Sequence, residues 1–437
     1  MMRNIALLVM HIKICAFLFS GRIFTLGFDG CETTTGLIGA RRMTQAFPQL
    51  LAELRENEHE FISIRHDIHA HPELGFAETR TAELVARKLA EWGYDVTTGV
   101  GGTGVVGQLR RGTSNRTLGL RADMDALPIQ EATGLPYAST VAQTMHACGH
   151  DGHTAILLAA AHHLARKGEF DGTLNVIFQP AEEGLGGASK MIADGLFTRF
   201  PCDQVFALHN APGLPVGHFA LRHGCMMASS DSVTITVTGK GTHGAMPQLG
   251  CDPIVAAANI VLALQSIVAR NIEPTRAAVV TVGAIHAGSA PNVIPETATL
   301  KLSVRALDSE TRDTVEARIR NIAQLQAQTY GATAEVDYRQ ISRPLVNHRG
   351  AADLAIETIE ALAGPEGYTL MPDAVMGSED FSWMTEVVPG CYVVLGNGVD
   401  SQGGCAVHNP EYDFNDAALS WGAAYFVGLA ERCLSVS

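Results

Sequence analysis

The chain is predicted to be an α/β protein: a discontinuous domain around a central, mostly parallel sheet, with an inserted ferredoxin-like βαββαβ domain. Three observations carry this expectation. Short apolar runs bounded by Gly, Pro and Asp alternate with helix-patterned stretches, and they lack the two-residue alternation of half-solvated strands. Near residue 230 the runs become strictly alternating. After Pro344 the first pattern returns. At 437 residues the chain exceeds one compact core. The larger domain is expected at 44–224 and 344–437, the insert at 225–343, and residues 1–43 stand outside both as an N-terminal extension.

Residues 5–20 are apolar apart from His11 and Lys13. They resemble a signal peptide, but the two interruptions and the length fit neither a clean apolar core nor a membrane span. Met43 stands just before the first helical pattern and is the expected start of the chain, with secretion as the alternative. The nine cysteines are unevenly spaced and odd in number. That fits a reducing, cytoplasmic setting better than a disulfide scaffold. A net charge of −14 with no basic stripe argues against nucleic acid as a partner. No stable membrane association is expected.

Leu50, Leu51, Leu54, Phe61, Ile64 and Ile68 recur at helical spacing, which predicts a helix over 48–67; a second spans 79–92 and stops at Gly93. Buried strands are predicted at 104–109, 117–120, 174–178 and 205–208, with an Ala- and Leu-rich helix at 154–167. In the insert, Val233, Ile235 and Val237 alternate with threonines. A helix over 253–269 opens on Asp252 and Pro253, strands follow at 278–285 and 298–306, Asp308 or Ser309 caps a helix over 310–330, and 332–338 closes the unit. Helix 351–362, strand 391–395 and helix 417–433 complete the larger domain.

The densest chemistry is the run His146-Ala147-Cys148-Gly149-His150-Asp151-Gly152-His153. Packing does not call for such a run, and its side chains suit borderline metals. Other candidates directly follow predicted strands: Asp123 and Asp125, Glu182-Glu183, and His209. That is where open α/β sheets bind ligands. Aspartates there are costly to bury unless they hold ligands or orient histidines. Of two adjacent glutamates, one can bind metal while the other faces substrate as a general base. With His408, the residues Cys148, His150, Glu183 and His209 supply five ligands for one or two divalent ions. His243 stands among glycines without a neighbouring ligand, which favours contact with substrate or transition state. The sequence holds no dinucleotide fingerprint, P-loop or Gly-x-Ser-x-Gly elbow.

The set RADMDALP, HACGHDGH, PAEEG, GTHGAMP, NVIP and GSEDF, in this order from about residue 50 onward, resembles the metallo-amidohydrolase family of hippurate hydrolase, N-acyl-amino-acid amidohydrolases and auxin-conjugate hydrolases. It is more distantly similar to aminoacylases and carboxypeptidase G. The resemblance implies hydrolysis of the amide bond of N-acyl or N-aroyl amino acids at a centre of two divalent ions, with Cys148 bridging and His150, Glu183, His209 and His408 as further ligands. It makes Glu182 the catalytic base and Asp125 an orienting aspartate. His243 and Asn292 match lid residues that reach a partner subunit's site, and Arg305 matches a carboxylate-binding arginine. A homodimer through the insert is implied as well. The ligand types admit Mn, Zn, Ni or Co. Two other readings stand beside this one: Cys148 as a covalent nucleophile paired with His150 or His153, and a non-catalytic metal- or peptide-binding protein on the same fold.

Overall fold

A computed structural model describes residues 47–400 and 403–436. The apolar segment 5–20 and the start expected at Met43 lie outside the described residues. The single helix expected over 48–67 is two: α1 (residues 47–56) and α2 (Glu58–Ala70). They meet at Asn57, whose side-chain amide donates to the Glu53 carbonyl and so competes with the helical ladder. The periodicity runs through the break because Leu54, Phe61, Ile64 and Ile68 enter one core.

Helix α3 (Thr79–Glu91) leads into β1 (Asp95–Val100), β2 (Gly104–Arg111) and β3 (Thr117–Asp123). Strand β1 was not foreseen. It is an edge strand with only Val100 buried, so it carries no apolar run. Next come α4 (His150–Arg166), β4 (Gly172–Gln179), α5 (Gly187–Ala193), α6 (Leu196–Arg199), β5 (Gln204–Pro212), β6 (Phe219–Leu221) and β7 (Gly224–Met227). The insert holds β8 (Ser230–Thr238), β9 (Thr242–His243), α7 (Pro253–Leu264), α8 (Ser266–Asn271), β10 (Ala278–Ala287), β11 (Val293–Ile294), β12 (Thr297–Ala306), α9 (Ser309–Thr329) and β13 (Thr333–Ser342). The chain returns through β14 (Leu345–Asn347), α10 (Arg349–Ala363), β15 (Tyr368–Leu370), α11 (Ser382–Val387), β16 (Gly390–Gly398) and α12 (Leu419–Cys433).

The large sheet runs β1-β2-β4-β3-β5-β16-β6-β15. Its centre, β4-β3-β5-β16, is parallel, as is the β15–β6 pair, while β1–β2, β2–β4 and β16–β6 are antiparallel. The central strands are covered on both faces. Leu118, Leu120, Leu174 and Phe178 pack in one core with Ala155–Ala161 of α4 and with α12, and Ile177, Val205 and Ala207 pack in another with Met191 and Met384. Burial on both faces explains the unbroken apolar runs.

The second sheet is antiparallel, ordered β10-β12-β8-β13. With α7 and α9 this is the split βαββαβ arrangement. Val233, Ile235, Val237, Leu300 and Val304 meet Ala257, Ile260 and Leu264 of α7 and Val315 and Ile319 of α9. Asp252 caps α7 and Asp308 caps α9. The helix expected over 253–269 is interrupted at Gln265. The stretch Pro253–Asn271 is apolar and long enough to cross a bilayer by composition. Its inner side packs on the sheet, and Ile254, Val255, Leu262 and Val268 face outward.

Candidate active site

The carboxyl ends of β3, β4, β5 and β16 share one edge of the large sheet, where the side chains named above converge. Helix α4 starts at His150, four residues before its expected start. Gly149 makes this turn: its φ is 94°, and a Cβ there would lie 2.2 Å from Asn210 Oδ1, so only glycine fits. Cys148 and His150 therefore stand at the amino end of α4. The loop carrying His408 is pinned beside them, because the His408 N–H donates to the Ala147 carbonyl at 2.7 Å.

Two triads form around one sulfur. Cys148, His150 and His209 make the first, Cys148, Glu183 and His408 the second, and within each the ligand atoms lie within 4.8 Å of one another. His209 Nδ1 donates to the Asn210 carbonyl at 2.7 Å, leaving Nε2 to face Cys148 Sγ at 3.2 Å. His150 turns Nδ1 to Asp125 at 3.2 Å, while its buried Nε2 has no hydrogen-bond partner among the described residues. An orphaned imidazole nitrogen beside a thiol, a second imidazole and a carboxylate fits a borderline divalent cation. The other Asp125 oxygen accepts from the Glu183 N–H at 2.9 Å. One aspartate thus orients two candidate ligand residues.

The Glu182-Glu183 loop is held by carboxylates on both sides. Glu78, itself buried, accepts from the Ala181 N–H at 2.8 Å. Ala181 has a φ of 53°, a left-handed conformation that costs energy for alanine and persists because the surroundings hold it. Burial pushes the Glu182 carboxyl well above the usual carboxylate range, and Glu379, Asp380 and Glu183 push it further. Burial also opposes charge on Glu183, but the hydrogen bond from His408 and the nearby His150 hold its carboxyl below the usual range. Burial drops the His209 pKa to about 3, so it is neutral and free to ligate. Burial pushes the Cys148 thiol well up, which weighs against a standing thiolate nucleophile without a cation.

Cys148, Glu182, Glu183, His209 and His408 line a cleft of 890 Å3 that also contains Arg305, from β12 of the insert. Arg305 Nη1 donates to Ser378 Oγ at 2.7 Å. The chain thus brings together Cys148, His150, Glu182, Glu183, His209, His408, Asp125 and Arg305. It does not bring in His243, which pairs with Val293 across β9–β11, or Asn292, which precedes β11; both are exposed and line no part of this cleft. Asp123, the remaining candidate, is buried against Arg121 and His153. Four residues with a part in the site drew no role from the sequence: Arg121, Glu78, Glu379 and Asp380. Arg121 offered a signal, a charge inside the apolar run Thr117–Asp123. The other acids sit in loops, where a carboxylate is unremarkable.

Residues 119–432 match the family model described as Peptidase family M20/M25/M40. The hippurate hydrolase of Campylobacter jejuni is 48% identical over 385 residues, covering 88% of this chain and 99% of that protein. The N-acetylcysteine deacetylase of Bacillus subtilis is 38% identical and covers 84% and 95%. Among solved structures, a dinuclear metal-binding peptidase from the M20 family, from Bacillus subtilis, superposes with a TM-score of 0.74 at 34% identity, covering 88% and 99%.

Proposed function

The chain belongs to peptidase family M20/M25/M40, and from that premise we propose that it is a metal-dependent amidohydrolase cleaving the amide bond of N-acyl and N-aroyl amino acids of the hippurate kind. The observation that carries the reading is the pair of triads sharing Cys148, which lines a cleft that also holds Glu182 and Arg305. Cys148, His150 and His209 would hold one divalent ion, and Cys148, Glu183 and His408 a second. Such a centre supplies Lewis acidity and an acidified water at neutral pH.

The remaining chemistry belongs to side chains. Glu182 takes a proton from the attacking water and returns it to the leaving nitrogen. Arg305 offers a desolvated guanidinium fork to the carboxylate of the amino-acid half. The same proposal includes a homodimer through the insert. Its supports are the outward apolar side chains of α7 and α8, and the exposure of His243 and Asn292 away from the cleft of their own chain. A partner's His243 would steady the oxyanion formed on the substrate carbonyl.

The test is a panel of acyl amino acids, hippurate included, against enzyme stripped by chelation and reconstituted with Mn, Zn, Ni or Co. Turnover is expected to vanish on stripping and to return with bound metal near two equivalents. Turnover that survives exhaustive chelation overturns the reading.

A further inference from the structure

Residues 377–381 read Gly-Ser-Glu-Asp-Phe; the first four line the cleft, and neither the Ser378 hydroxyl nor the backbone of this segment has been given a step in the mechanism above. Ser378 accepts from Arg305 Nη1 at 2.7 Å, and both line the cleft. A hydroxyl has one proton to give. With its oxygen occupied by a guanidinium, Ser378 can direct that proton to an anion resting on Arg305. Two residues on, the Asp380 N–H donates to Glu182 Oε1 at 3.3 Å. A single short segment therefore touches both the carboxylate-binding arginine and the proton acceptor.

The segment is fastened from below. Glu379 Oε1 accepts from Arg121 Nη2 and from the Phe381 N–H, both at 2.9 Å, and Oε2 accepts from the Tyr392 hydroxyl at 2.9 Å. Asp380 accepts from Gln179 Nε2 at 2.6 Å and from the Ala188 N–H at 2.9 Å. Arg121 completes its fork with Asp123 at 2.7 Å and Gln179 at 2.8 Å. Arg121, Asp123, Glu379, Asp380 and Gln179 are all buried. In such a network, loss of one partner strands the rest without water. Ser378 and the Asp380 N–H are thus held in fixed relation to the end of β3.

We propose that residues 377–381 form a strap coupling recognition of the substrate carboxylate to placement of the proton acceptor. Ser378 shares the carboxylate with Arg305. Glu379, anchored by Arg121 and Tyr392, is a positioning residue that acts on Glu182 through the Asp380 backbone. The inference rests on the roles given to Arg305 and Glu182 above.

The test separates it from those roles. Affinities for hippurate and for its amide, N-benzoylglycinamide, are measured on metal-loaded Glu182→Gln protein, so binding is read without turnover. Adding Ser378→Ala should weaken hippurate about tenfold more than the amide, the scale of a hydrogen bond to a charged group. Equal losses, or none, overturn the shared carboxylate site. In otherwise wild-type enzyme, Tyr392→Phe should lower kcat about fivefold while KM and metal content hold, the signature of an interaction made in the transition state. An unchanged kcat overturns the positioning role. Loss of all hydrolysis by unmutated holoenzyme would instead reject the proposed function.

Discussion

At the carboxyl edge of the eight-stranded sheet, Arg121, Asp123, Asp125, His150, His153, Glu379 and Asp380 are buried together. In the four-stranded insert the interior is Val233, Ile235, Leu300, Ile319 and their neighbours, and the buried charges among the described residues are Asp231 and Arg312, paired with each other. Both regions are well packed, yet they hold different chemistry. Burying a charge costs several kcal/mol unless partners satisfy it. The insert carries one such pair. The large sheet carries a network of them where strand ends meet the cleft, and that network orients His150 and fixes the Glu183 loop. In the first region, then, substitutions should cost activity out of proportion to stability, and in the second the reverse.

The sharpest break between the regions comes from Glu182→Gln. It is expected to lower kcat by about 10²–10⁴, with the unfolding midpoint and bound metal unchanged. Steady-state kinetics beside elemental analysis check this, and a loss under tenfold removes Glu182 from proton transfer. The counterpart in the insert is Leu300→Ala. Leu300 is fully buried, and its truncation should cost about 2–5 kcal/mol of stability by denaturant titration while the folded fraction keeps its metal. A stability loss below 1 kcal/mol would break the comparison from the other side.

A pH series sharpens it further. His69 is buried and contacts Asp151 at 2.9 Å. Burial alone would lower its pKa, but Asp151 prevails and raises it from 6.5 to about 9. A raised folded pKa means the stabilisation is fully present below pH 6.5 and fades as pH climbs through about 9. The unfolding midpoint of wild type relative to His69→Gln should therefore converge over that window; a constant gap would contradict the assignment. The smallest effect on stability is expected at Leu262→Arg, on the outward side of α7, where the side chain is 71% exposed. The fold should hold within about 0.5 kcal/mol, but sedimentation should shift from dimer to monomer. An unshifted profile would take α7 out of the proposed interface.

Much of this was legible along the chain. The buried strands, the alternating β8 and the capped α9 follow from periods of two and 3.6 residues, which any segment displays by itself. The residues around Cys148 stood out because no packing pattern calls for three histidines and a cysteine in eight positions. The break at Asn57 was hidden because Leu54 and Phe61 keep helical phase across it, and β1 because an edge strand needs no apolar run.

Local pattern reaches as far as element type and side-chain chemistry, since both are properties of a residue and its near neighbours. It named candidate ligands, and it left open which of them stand together. It also passed over Arg121, Glu379 and Tyr392, whose meaning lies in one another. Arg121 and Glu379 are 258 residues apart in the chain and 2.9 Å apart in space. Contacts of that kind arise only when parallel strands stack and their ends converge. Packing alone therefore decided that His209 faces Cys148, that Arg305 of the insert lines the cleft, and that His243 and Asn292 stand outside it.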